Sequence, residues 1–406
     1  MLSYKPYLDF VRYSIGNTNP APVSAESLDW EWFLGFCDRQ GITGMVYAGI
    51  ERSGINIPTD TLLEWYGAKE SIAIVNHETD KRCRQVSDFF EEKGFRSCIL
   101  KGQANAMMYP QPGLRSPGDI DIWVSKRDDG RRKMEDGRGK MDDGRGMMDD
   151  GRGMMDDGRG KMDDGRRLKE EGRGTKEEDD AAEIIRMVLE VAPEGHYSLH
   201  HVTMPVFDDV AVEVHYRPVF LDNWWKDKLL QHYINEVKDE QFRNRIRLSD
   251  GETVICGLTD DFNVVFLMFH MWHHLLSTRN NFKQLIDYYY LLKQGHADVT
   301  NITELFRLFG VLKYARGIMW IEHEVLGLDK KYLVVEPDER IGKLLLKESL
   351  HYGEGWKQRN RIGTLVGRLT DNLHLLWHFP SAVMIAPIYL LWHQWWKLRM
   401  KIMLRK

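Results

Sequence analysis

Long apolar runs are missing from these 406 residues. The most extended candidate, Val383 to Trp396, is only 14 residues and is broken by Pro387, His393 and Gln394. A helix needs ~20 apolar residues to cross a bilayer, so a membrane span is excluded there. The basic, Trp-rich end leaves peripheral membrane contact through the C-terminus as the less favoured alternative to docking on the protein's own core. Cysteine is also scarce. Cys37, Cys83, Cys98 and Cys256 are scattered without metal-ligand spacing, which excludes a disulfide framework and fits reduced thiols in a cytoplasmic protein. The stretch MLSYKPYLDFVRYSIG has no basic segment followed by an apolar one, so no secretory signal is expected. Charge of one sign is not in excess either: 56 Lys and Arg face 61 Asp and Glu, for a net charge of −5. Nucleic-acid binding by the chain as a whole is therefore not indicated.

The length predicts two or three domains at one per ~150 residues. Residues 1–70 read as an N-terminal helical region, with Trp30, Trp32, Phe33 and Phe36 on one helix face. A helix follows over Ser71–Gly94, with apolar positions Ile74, Val75, Cys83, Val86, Phe89 and Phe90 and a glycine stop. It leads into a strand at Cys98–Leu100 and a core over 71–257, while 258–406 reads as a helical C-terminal region. The expected fold class is α/β (α+β): a small mixed sheet flanked by helices, between helical N- and C-terminal regions.

The core is interrupted at 127–178 by a low-complexity insertion. Asp128 to Lys176 is seven consecutive seven-residue units of the type DDGRGKM. The period suggests a coiled coil, but every unit has Gly at its third position, costing roughly 1 kcal/mol each in a helix, and no unit has a paired apolar seam. A Gly-rich polyampholyte without an apolar face cannot offset its ordering entropy, so a disordered spacer is expected. A calcium-binding repeat lacks the spaced ligands it would need. An RNA-contacting Arg/Gly tract is the other alternative.

Two stretches carry the chemistry. In Gly118-Asp119-Ile120-Asp121-Ile122 the two carboxylates share one face of a strand and the isoleucines share the other. Like charges two residues apart in a half-buried strand repel, and a divalent cation is the economical compensation. Further on, Ser198–Phe207 and Val210–Tyr216 read as a hairpin turning at Asp208-Asp209. Val210, Val212 and Val214 take one face of its second strand, and Ala211, Glu213 and His215 the other.

With Leu100-Lys101-Gly102, Arg115, Asp119-Ile120-Asp121 and Glu213-Val214-His215 in place, the chain resembles the DNA polymerase β-like nucleotidyltransferase superfamily, and most closely its branch of uncharacterised bacterial nucleotidyltransferases. The resemblance covers roughly residues 75–290 with the repeat removed. It departs at Gln103, where the wider superfamily has Gly or Ser, and in having Glu as third acid. It implies transfer of NMP from an NTP donor to an acceptor hydroxyl, with Asp119, Asp121 and Glu213 as catalytic ligands of two Mg²⁺ ions. It also implies Lys101, Gly102 and Gln103 as the triphosphate-holding turn, Arg115 as a second phosphate contact, and Asp287 as a cleft-lining or helix-capping residue. The acceptor stays open between RNA, a protein and a small molecule. The alternatives are an inactive nucleotide-binding protein on the same fold and, less favoured, a zinc hydrolase on His270, His273 and His274, whose i, i+3, i+4 spacing puts them near one helix face.

Overall fold

The computed structural model describes residues 4–16, 20–127, 176–275, 277–352 and 372–405; the expected disordered insertion, apart from its first and last few residues, lies outside them. Helices α1 (Lys5–Ser14), α2 (Trp30–Gln40) and α3 (Thr43–Ser53) open the chain. Asp29 caps α2 by accepting from the Trp32 amide, and Gly41 ends it at φ +67°. Trp30, Phe33 and Phe36 are buried as the spacing predicts. The helix expected to begin at Ser71 is the second half of a longer one, α4 (Thr59–Glu92), which starts after Pro58 and stops before Gly94. Cys83, Val86 and Phe90 face the core, whereas Ile74 and Val75 are exposed, because the helix there turns only one narrow face inward.

Strand β1 (Phe95–Ile99) runs antiparallel to β2 (Ile120–Lys126), with the one-turn helix α5 (Gln103–Ala106) between them. Then come α6 (Lys176–Val191), β3 (His201–Thr203) and β4 (Val212–His215). The sheet order is β1-β2-β4-β3, and β2 and β4 are parallel. A parallel pair needs a crossover, and α6 supplies it. Ile120, Ile122, Val124, Val212 and Val214 pack one face of the sheet on Ile184, Ile185 and Val188 of α6. The strand alternation thus buries the apolar side, and the acidic side faces the other way. The hairpin expected at 198–216 is present as β3 and β4.

The remainder is α7 (Trp224–Gln241), a two-stranded ribbon β5 (Arg245–Arg247) and β6 (Val254–Cys256), then α8 (Asp260–Leu275), α9 (Phe282–Gln294), α10 (Val299–Phe309), α11 (Leu312–Trp320), α12 (Glu339–Leu350) and α13 (Pro380–Met403). Helices α8 and α9 share one core with α1–α3. The N- and C-terminal helical regions therefore pack on each other. Trp123 of β2 packs on Phe242 and Phe262 at ring separations of 4.8 and 6.2 Å, joining that core to the sheet.

Candidate active site

The parallel register sets Asp121 directly beside Glu213 and Trp123 beside His215. The antiparallel register with β3 adds His201 opposite His215. Asp121 and Glu213, nearly a hundred positions apart in sequence, thereby come onto one polar face. The Leu100 amide donates to the Asp121 carbonyl at 2.9 Å, which continues the ladder past β1 and delivers Lys101 to the same place. Gly102 then turns the chain at φ +64°, ψ −114°, a conformation that a side chain resists.

Lys101 Nζ lies 3.0 Å from Asp121 Oδ2 and 3.7 Å from Asp119 Oδ1. His215 Nε2 lies 3.0 Å from Asp121 Oδ1 and 3.6 Å from Glu213 Oε2, and His201 Nδ1 lies 3.5 Å from the same glutamate oxygen. Among the described residues, Asp121, Glu213 and His215 bring one ligand atom each within 4.8 Å of one another, as do His200, His201 and His215. Asp119 is in neither group, and its side chain is 38 % exposed at the mouth of the site.

The electrostatics follow from this packing. Burial raises the Asp121 carboxyl, but Lys101 and His215 more than reverse it and hold the group well below the ordinary range. Asp119 goes the other way, pushed up by the Asp121 charge and by burial. Burial opposes the charged form of Lys101, yet the two aspartates raise its pKa. Burial likewise opposes protonation of His215, and hydrogen bonds to Asp121 and Glu213 lift it to about 9. His201, buried beside His215, is lowered to about 4.

The other expected site residues are placed differently. Arg115 is buried, with Nε and Nη2 on the two Asp287 oxygens at 2.7 and 2.8 Å, and the Tyr109 hydroxyl donates to the same carboxylate. Its guanidinium fork is thus committed inside the protein, where it ties the loop before β2 to α9, and Asp287 is its anchor, not a helix cap. Asn76 of α4 holds the same loop by donating to the Gly113 and Arg115 carbonyls, at 2.8 Å each. Gln103 is buried and turned away, donating to Asp80 and to the Asn76 carbonyl. The segment after Gly102 is a single helical turn.

The three α8 histidines do not converge. His270 and His274 put their Nε2 atoms 3.1 Å apart, but His273 packs on Phe220 and His200. Among the described residues they form no metal-ligand group, which removes the basis for a zinc hydrolase on them. Burial, then the Lys101 charge, keeps His270 and His274 neutral, the latter at about 3.

Sequence reasoning missed His201, His200 and Lys283. His201 follows from the hairpin register, since a residue opposite His215 must share its face, whereas His200 lies just before the strand and the register does not yield it. Lys283 sits at the start of α9, 3.5 Å from the Pro117 carbonyl, and burial, then the Arg115 charge, lowers it to about 8. Nothing local in KQLIDYYYLL marked it.

No curated protein and no solved structure matches the chain. Residues 26–136 match a family described as an uncharacterised nucleotidyltransferase. The match takes in α2 through β2, including Lys101, Asp119 and Asp121, and ends before Glu213 and His215. This supports nucleotidyl transfer as the general chemistry, and over residues 26–136 the chain is similar to the uncharacterised nucleotidyltransferase family.

Proposed function

We propose that the protein transfers NMP from an NTP to an acceptor hydroxyl, releasing pyrophosphate, with Mg²⁺ held by Asp119, Asp121 and Glu213. The observation that carries this reading is the register Asp121↔Glu213 on a parallel pair whose opposite face is wholly apolar. The residues suit a divalent cation. Asp121, Glu213 and His215 bring ligand atoms within 4.8 Å of one another, and the Lys101 ammonium bridges the two aspartates, so positive charge is already required there. Two ions bound to these carboxylates would offset the charge of the phosphates and lower the pKa of the attacking hydroxyl.

The chain's own groups do the rest. Lys101 is positioned to move from the carboxylates to a phosphate oxygen, and the amides after Gly102 stand at a helix start without intrahelical partners. His215 orients Asp121 by donating from Nε2, and His201 restrains Glu213. Arg115 acts through the loop it anchors. Lys283, beside Asp119, supplies a further cation at the mouth. The acceptor is an RNA, a protein or a small molecule, and the four buried thiols suit a cytoplasmic enzyme.

Incubation with each labelled NTP and a cell lysate tests the reading. One macromolecule or metabolite should take up label with Mg²⁺ present, and Asp119→Asn and Asp121→Asn should each lower the rate by at least ~10³. Undiminished labelling by both variants would exclude it. Calorimetric binding of nucleotide that ignores Mg²⁺, with no turnover, would instead favour a nucleotide-binding protein.

A further inference from the structure

Helix α13 has one face on the protein and one face without a partner among the described residues. Its inner side carries Trp396 and Met400, both buried, with Trp396 against Tyr197 and Tyr216. Its outer side carries Met384, Ile388, Leu391, Trp395, Leu398 and Ile402, every one more than half exposed. The spacing alternates four and three residues, so the six fall on one line about 27 Å long at 1.5 Å per residue. Scattered exposed apolar side chains need no explanation, but a continuous line of large ones marks a contact surface.

The charge around this line selects the contact. After Asp371 the chain has no Asp or Glu, yet it has Lys397, Arg399, Lys401, Arg405 and Lys406, in a protein whose net charge is −5. A second copy of the helix would meet like charge, because Arg399 and Lys401 occupy the two positions that flank the line. The aromatic rings point the same way. Trp395 lies 5.5 Å below the Arg399 guanidinium, and Trp224, across a groove of about 1080 Å³ between α7 and α13, has the Lys228 ammonium 4.0 Å above its ring. The acids in that groove are already paired, Glu178 with Arg399, and Glu177 and Asp227 with Arg217. Tryptophan beside Lys and Arg next to an apolar line is the composition of a helix lying in a bilayer interface. No helix among the described residues is long and apolar enough to cross a membrane, so the contact is peripheral.

We propose that the outward face of α13, with the tryptophans at the start of α7, docks this protein on an anionic lipid surface. The inference is independent of the reaction proposed above.

Co-sedimentation of the full chain with extruded vesicles tests it, using neutral phosphatidylcholine and the same lipid with about 30 % phosphatidylglycerol. Partition onto the anionic vesicles should exceed that onto the neutral ones by about tenfold or more and fall steeply in ~0.5 M salt. The double variant Leu391→Gln/Leu398→Gln changes only exposed positions, so its circular dichroism should match the wild type while its partition drops at least ~tenfold. Equal or absent partition on both vesicle types overturns the proposal. So does a wild-type dimer in sedimentation equilibrium that the double variant dissolves, since the line is then covered by a second copy.

Discussion

Two clusters of buried charge lie on either side of the loop between β1 and β2, and they are built to opposite rules. In the first, Arg115, Asp287 and Tyr109 use both carboxylate oxygens and close on one another. In the second, Lys101, Asp119, Asp121, Glu213 and His215 crowd three carboxylates around two cationic groups, and His215 Nδ1 is left without a hydrogen bond. The closed cluster needs nothing more. The open one carries unmet demand for charge and for hydrogen bonds, which a ligand can satisfy. Under the proposed reaction, stability and function are divided between two sites that share one loop.

Breaking the closed cluster should produce the largest change in stability. Arg115→Met leaves the Asp287 carboxylate buried without a counter-charge, held only by the Tyr109 hydroxyl, at a cost of about 3–5 kcal/mol. The double variant Arg115→Met/Asp287→Leu should recover most of that loss in urea unfolding, because no stranded charge remains. Asp119→Asn in the open cluster should behave inversely. It removes a charge that Asp121 repels, so stability should stay within about 1 kcal/mol of wild type after solvent screening, even as transfer is lost. If the double variant is as unstable as the single one, the cluster supports the loop by shape and not by charge pairing.

A pH titration of the metal-free protein should show the smaller contribution of His215. Its folded pKa, about 9, lies above the unfolded value. Its contribution to stability is therefore full below pH ~6.5 and lost as pH rises through about 9, and it is worth on the order of 1–3 kcal/mol. The groups facing it are Asp121 on β2, Glu213 on its own strand, and His201 with the adjoining His200 from the β3 side. His215→Gln should flatten the unfolding free energy between pH 6.5 and 9. An unchanged slope would mean that the imidazole is neutral and that Lys101 alone balances Asp121.

What could be read in the sequence divides along the same line. The open cluster was legible because it is written in strand alternation: Asp119-Ile-Asp121 and Val212-Glu-Val-His215 each declare a polar and an apolar face by period two. Their pairing was not written there, since it depends on a parallel crossover through α6 beyond a long insertion. The closed cluster was illegible for a physical reason. Arg115 and Asp287 are 172 positions apart, and an arginine shortly before two aspartates looks the same whether its guanidinium faces a phosphate or a buried carboxylate. The apolar positions Ile74 and Val75 misled in the opposite sense: periodicity shows where a helix can be buried, while the neighbours it meets decide how much of it is.

Glu322, just after α11, belongs to neither cluster. It is fully buried, and neither carboxylate oxygen has a hydrogen-bond partner among the described residues. Burial alone pushes its carboxyl well above the ordinary range. A raised carboxyl favours folding most below the unfolded pKa of about 4.3, and that advantage is lost as pH rises toward the folded value, because only the unfolded chain can ionise. Glu322→Met, close in volume, should therefore stabilise the protein by about 1–2 kcal/mol at pH 8 and by less at pH 5. The gap between the two pH values carries the test. If Met is no better than Glu at pH 8, the carboxylate has found a partner, and Glu322 must be counted with Asp287 as a satisfied buried acid.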